Sequence, residues 1–141
     1  MNARIARLIK KYDLDLTGLI VLTEAASGAY LLNPFIALCA GAKKVICKAK
    51  TTKFGSAEDI IKKTMALAAT WDCVDRILVK ESLEPEDMAQ ADIITNSAHV
   101  RPITKEHILY FKPTAVIPLM WETWELRPHE RSEEHTSELQ S

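Results

Sequence analysis

Four stretches of the chain concentrate side chains that grip or transform small molecules: Thr23–Tyr30 (TEAASGAY), Lys48–Ser56 (KAKTTKFGS), Asn96–Ile103 (NSAHVRPI) and Trp121–Arg127 (WETWELR). In the first, Ala26, Ser27 and Gly28 are small enough for a phosphate or carboxylate to approach the backbone, where N–H groups at a helix start would face it. Glu24, next to Thr23, repels a pyrophosphate and suits a hydroxyl or an ammonium group. In the second, Lys48, Lys50 and Lys53 stand among Thr51 and Thr52, a set that suits a phosphate and reads equally as solvated surface charge. The third holds His99, an acid–base candidate, and Arg101, which could hold a carboxylate or phosphate. His107, inside a helical segment, is a weaker candidate for the same work. In the fourth, Glu122 and Glu125 alternate with Trp121 and Trp124, a surface for substrate or partner contact. The cysteines and histidines are too scattered for a metal site, and no nucleophile–base pair can be assigned.

These stretches can cooperate only if each follows a strand of one sheet, and the hydrophobic pattern predicts that they do. The apolar run Leu19–Leu22 gives way to small residues and then to a helical segment spanning Gly28–Ala40. After Gly41 comes a second strand, Lys44–Cys47, which completes a βαβ unit. Pro34 allows two helix starts. Asn33-Pro34 suits the N-cap and first position of a short helix, but the longer helix, bent at Pro34, is the preferred reading. Ser56 caps a helix that turns Ile60, Ile61, Thr64, Leu67 and Ala68 inward. A third strand follows at Arg76–Lys80, a short helix or turn at Pro85–Gln90, and a fourth strand at Asp92–Thr95. Thr104 caps a helix over Lys105–Phe111, and Ala115–Met120 is the fifth strand. This alternation predicts an α/β fold of Rossmann-like, doubly wound type, with a parallel sheet ordered 3-2-1-4-5. Ligands of such sheets lie beyond the carboxyl ends of the strands, where the four stretches fall. Ahead of the sheet, Asn2–Tyr12 reads as an amphipathic helix packing on a sheet edge or on another domain.

The run ADIITNSAHVRPITKEHILYFKPTAVIPLM (residues 91–120) resembles the second half of the NAD(P)-binding domain in D-2-hydroxyacid dehydrogenases, adenosylhomocysteine hydrolase and the ornithine cyclodeaminase group. The shared features are an apolar strand ending in ADI with small polar residues, a short helix, and Lys112-Pro113-Thr114-Ala115 in place of KPGA. With the first βαβ unit, the likeness spans residues 17–122. It implies an NAD(P)-binding domain of an oxidoreductase-like enzyme, with hydride transfer as the cofactor's chemistry. Asn96, Ser97 and Ala98 would then line the nicotinamide ribose. The chain departs from the pattern in lacking GxGxxG and the acid after the second strand. The cations and hydroxyls standing there, Lys48, Thr51, Thr52 and Lys53, favour the 2′-phosphate of NADP over NAD. Thr23, Glu24, Ala26, Ser27 and Gly28 complete the expected cofactor contacts, His99 is the catalytic candidate, and Arg101, Trp121 and Glu122 are the substrate contacts. Two other readings stay open. Residues 21–46 also look like a methyltransferase that uses S-adenosylmethionine. The absent glycine motif and unassigned catalytic group suit a non-catalytic domain binding a nucleotide or a partner.

A 141-residue chain with 48% hydrophobic and 26% charged residues has the composition of one folded domain. Its last eleven residues, Arg131–Ser141 (RSEEHTSELQS), resemble a translated sequencing adapter and are set apart from the fold, leaving residues 1–16 as an N-terminal helix and turn and 17–130 as the nucleotide-binding unit, expected to be truncated at its C-terminal end. Of 18 basic and 19 acidic residues, that tail holds one and three, so 17 and 16 remain. A balance so near neutrality argues against a nucleic-acid surface. The apolar runs are too short to span a membrane. Cys39, Cys47 and Cys73 form no CxxC and read as reduced thiols of a cytoplasmic protein. A small-molecule substrate is the expected partner, and a homo-oligomer is compatible with the sequence.

Overall fold

A computed structural model describes residues 2–118. Helix α1 (Ala3–Lys11) is followed by strand β1 (Ile20–Glu24), helix α2 (Asn33–Cys39), β2 (Lys44–Lys48), α3 (Ala57–Thr70), β3 (Ile77–Lys80), α4 (Pro85–Gln90), β4 (Ile93–Ile94) and α5 (Lys105–Tyr110). The strands form one parallel sheet in the order β3-β2-β1-β4. Val116 forms a parallel bridge to Ile93 on the outer side of β4, in the position expected of a fifth strand. The expected fifth strand, Ala115–Met120, runs past the described residues. The α/β, Rossmann-like doubly wound class read from the sequence is therefore the observed one.

The period of two along each strand divides the core between the faces. Val21, Val45, Cys47 and Ile77 point to one face, where Phe35, Leu38, Ala57, Ile60 and Ala68 cover them. Phe35 is fully buried, and its ring meets Trp71 edge-on at 5.1 Å. Leu22 and Ile94 point to the other face, beneath Met88, Ala91 and Val100. On the first face α3 is held by two hydroxyls. Ser56 Oγ accepts from the Asp59 N–H (3.1 Å) and Thr51 Oγ1 from the Ala57 N–H (2.9 Å). On the second, Asp87 Oδ2 ties α4 down, accepting from the Glu84 N–H and from Lys80 Nζ, both at 2.8 Å. Cys47 is fully buried, and burial, with the Glu24 carboxylate adding to it, pushes its thiol far above the ordinary range. Gly41 holds a positive φ of 98°, and a Cβ there would meet Thr17 Oγ1 at 2.9 Å, so the turn into β2 requires glycine.

Two local expectations need correction. The long helix from Gly28 does not form. Gly28–Leu32 is a 3-10 segment, and the α-helix starts at Asn33 with Pro34 in its first turn. Proline lacks an N–H and loses nothing in a first turn, whereas in a helix interior it would remove a hydrogen bond. Ser27 makes no capping bond. The N-terminal helix packs on α2, burying Ile5, rather than on a sheet edge. No helix of the described residues is long and apolar enough to cross a membrane.

Candidate functional site

The carboxyl ends of β1, β2 and β4 open into a cleft of about 510 Å³ on the α2/α3 face. Three loops build it. The segment after β1 contributes Ala26 to Tyr30, the turn after β2 contributes Thr52 to Phe54, and the loop after β4 contributes Ala98 and His99. Each loop has a local reason for its shape. Gly28 takes φ +64°, which lets the chain leave β1 and enter the 3-10 segment. Thr52 and Gly55 exchange backbone hydrogen bonds at 2.9 and 3.2 Å, so Lys53 and Phe54 form the tip of a tight turn. Lys53 Nζ lies 5.2 Å from the centre of the exposed Phe54 ring. Ala98 takes φ +37° between the buried Ser97 and His99. His99 Nδ1 is buried and has no hydrogen-bond partner. An imidazole nitrogen in that position lacks what water would otherwise supply, and a ligand group can restore it.

Beside the cleft, a polar network centred on the buried Glu24 locks the β1 and β4 loops together. Glu24 is fully buried at the tip of β1. Its Oε1 accepts from Asn33 Nδ2 and its Oε2 from Ser97 Oγ, both at 2.7 Å. Thr95 Oγ1 donates to Thr23 Oγ1 at 2.9 Å, and Ser97 Oγ lies 3.3 Å from Thr95 Oγ1. These groups fix the loops that carry Ala98, His99 and the 3-10 segment, which places them behind the cleft as supports rather than in it.

The sequence-derived candidates therefore separate. Ala26, Ser27, Gly28, Thr52, Lys53, Ala98 and His99 line the cleft together. Thr23, Glu24 and Ser97 are buried in the network, and Thr51 caps α3. Asn96 and Arg101 hold their own loop, Arg101 Nε donating to Asn96 O (2.9 Å) and Oδ1 (3.1 Å). Lys48 lies across the sheet, lining a different cavity with His107. Trp121 and Glu122 fall outside the described residues. Sequence reasoning missed Tyr30, Phe54 and Ile60 as cleft walls and Asn33 as the partner of Glu24. Ile60 was legible as an inward helical residue, whereas the reach of Asn33 back to Glu24 has no sequence signal. Among the described residues, no cluster of three or more His, Cys, Asp or Glu could hold a metal ion.

No protein-family model matches the chain, and no curated protein matches it. Among solved structures it is similar to aspartate transcarbamoylase from Trypanosoma cruzi. In the complex with carbamoyl phosphate, the identity is 16% and the TM-score 0.49, covering 92% of this chain and 44% of that one. In the ligand-free form, the identity is 16% and the TM-score 0.45, covering 92% and 47%. The chain thus spans less than half the length of these structures, and at such identity the likeness bears on fold alone.

The solved structures reported above are of a transcarbamoylase, none of the families expected from the sequence, and the expected NAD(P)-binding oxidoreductase is corrected on the geometry of the site, as is the methyltransferase alternative. With them go NADP, NAD and S-adenosylmethionine as cofactors. The supposed 2′-phosphate set is divided, with Lys48 on one face of the sheet, Lys53 on the other and the Thr51 hydroxyl already accepting the Ala57 N–H. Ser97, expected at a nicotinamide ribose, is buried against Glu24. The residues 91–120 pattern encodes strand, loop, short helix and strand, which α/β sheets of many activities share.

Proposed function

We propose that the chain binds a small organic anion in the cleft between the β1, β2 and β4 loops. The observation that carries this reading is that His99, whose buried Nδ1 has no hydrogen-bond partner, lines with Lys53 an otherwise largely apolar cleft. Lys53 at the tip of its turn supplies a mobile positive charge for a carboxylate or phosphoryl group. His99 Nδ1 gives the ligand a polar anchor and is the atom at which a proton would be held or moved. Ala26, Ile60 and Ala98 provide the apolar walls for the ligand's carbon skeleton.

Thermal unfolding of the full chain with orthophosphate, succinate or carbamoyl phosphate tests the proposal. Carbamoyl phosphate is among the probes because it is the ligand of the Trypanosoma cruzi complex. A ligand at about 100 times its dissociation constant stabilises by about 2.7 kcal/mol. The expected result is stabilisation by at least one of these anions, weakened by Lys53→Met and by His99→Ala. A folded chain indifferent to all three, or a shift that survives both substitutions, overturns the reading.

A further inference from the structure

The geometry points to a second ligand site, for a short-chain carboxylate, in a cavity of about 190 Å³ on the opposite face of the sheet, with Lys48, Ser82 and His107 as its polar groups. This site goes beyond the anion cleft and shares no lining residue with it. The walls are Leu22 of β1, Leu83 and Met88 from α4 and the turn before it, Val100 after β4, and Ile103 and Phe111 on either side of α5. Lys48 is there because Val45 and Cys47 face α2 and α3, so the next residue of β2 must face the other way.

The state of Lys48 sets it apart from its neighbours. On the same strand, Lys44 Nζ donates to Gln90 Oε1 (3.3 Å), and in register on β3 Lys80 is paired with Asp87 (2.8 Å). On the other side, Lys48 is in register with Glu24, yet both Glu24 oxygens are taken by Asn33 and Ser97. Among the described residues, Lys48 Nζ has no hydrogen-bond or ion-pair partner, although the residue is half-buried. An ammonium without a protein partner at the rim of an apolar-walled cavity favours an anion beside it. His107 adds a donor of defined position. Its Nδ1 accepts the Thr104 N–H at 3.2 Å, which leaves the ring proton of the neutral side chain on Nε2. Three donors (Lys48, Ser82 and His107), six apolar walls and a volume below that of a drug-sized pocket favour a small carboxylate with a branched or short carbon chain over a bare or bulky anion.

Titrating the full chain with isobutyrate while following backbone amide resonances tests this, with isobutylamine and inorganic phosphate as comparison probes. Isobutyrate is expected to move the amides of Leu22, Leu83 and Ile103. Its affinity should fall about tenfold or more in Lys48→Met and in Lys48→Gln, each checked for folding by its thermal transition. His107→Gln should retain binding, because glutamine at this position of a capping box also accepts the Thr104 N–H and keeps a donor. His107→Leu should weaken it. Lys53→Met should leave it unchanged, which separates this site from the anion cleft. The inference is overturned if those amides stay still, if both Lys48 variants bind as well as the parent, or if isobutylamine or phosphate binds as tightly as isobutyrate.

Discussion

The two faces of the sheet are built differently. The α2/α3 face has a predominantly apolar core, with a 14-residue helix and the fully buried Phe35 packed edge-on against a partly buried Trp71 over Val45 and Cys47. The α4/α5 face has two six-residue helices, a smaller apolar cluster, and a buried aspartate doing part of the fastening. Isolated helices that short are not stable, so the second face depends on caps and charge-assisted bonds where the first depends on area. Stability should therefore respond to packing on one side and to polar chemistry on the other.

The largest effect should come from the first face. Phe35→Ala is expected to cost about 3–5 kcal/mol in urea unfolding, while Met88→Ala on the second face should cost nearer to about 2. Equal losses would abolish the distinction. Next is the tie between the β1 and β4 loops. Glu24→Ala takes the 2.7 Å acceptor from the half-buried Asn33 amide and from the buried Ser97 hydroxyl, which keeps only Thr95 Oγ1 at 3.3 Å, a loss of about 1–3 kcal/mol, whereas Glu24→Gln should recover much of it in the same assay.

Asp87→Asn should cost about 2 kcal/mol, the worth of a charge-assisted bond, and it carries a pH signature. Burial opposes charging Asp87, yet the Lys80 hydrogen bond and charge, with the Glu84 N–H, more than offset it and hold the carboxyl below its ordinary value. An acid whose folded pKa is depressed stabilises above its unfolded value of about 3.9, and that contribution fades as the pH falls through the folded pKa. Thermal scans from pH 6 down to about pH 2 should thus show a flatter loss in the variant than in the parent. Parallel curves would remove Asp87 from the account of the second face. Smallest of all, Ser56→Ala should cost about 1 kcal/mol, since one cap of α3 is lost while the Thr51 hydroxyl still serves the Ala57 N–H.

Strand order was legible because it follows from apolar runs alternating with helical ones, and parallel crossovers leave few topologies. The start of α2 was harder to read. Gly28 and Pro34 both punctuate the chain there, and only packing decides that five residues coil as a 3-10 segment first. The cleft was half legible. Placing loops at carboxyl ends brought Ser27, Lys53 and His99 to one region, but strand parity, which was available in the sequence, had already assigned Lys48 to the other face. The role of Glu24 could not be read at all, because its partners lie nine and 73 positions away.

Cys47 gives the molecule a built-in stopwatch. Its sulfur is sealed beneath α2 and α3 in the middle of β2, between two parallel neighbours, and its thiolate is scarce at neutral pH. An alkylating reagent can reach it only while that region is open, so its labelling rate in an otherwise native sample counts openings of the molecule's centre. Cys39, partly accessible, reacts without that event and marks the start of the count.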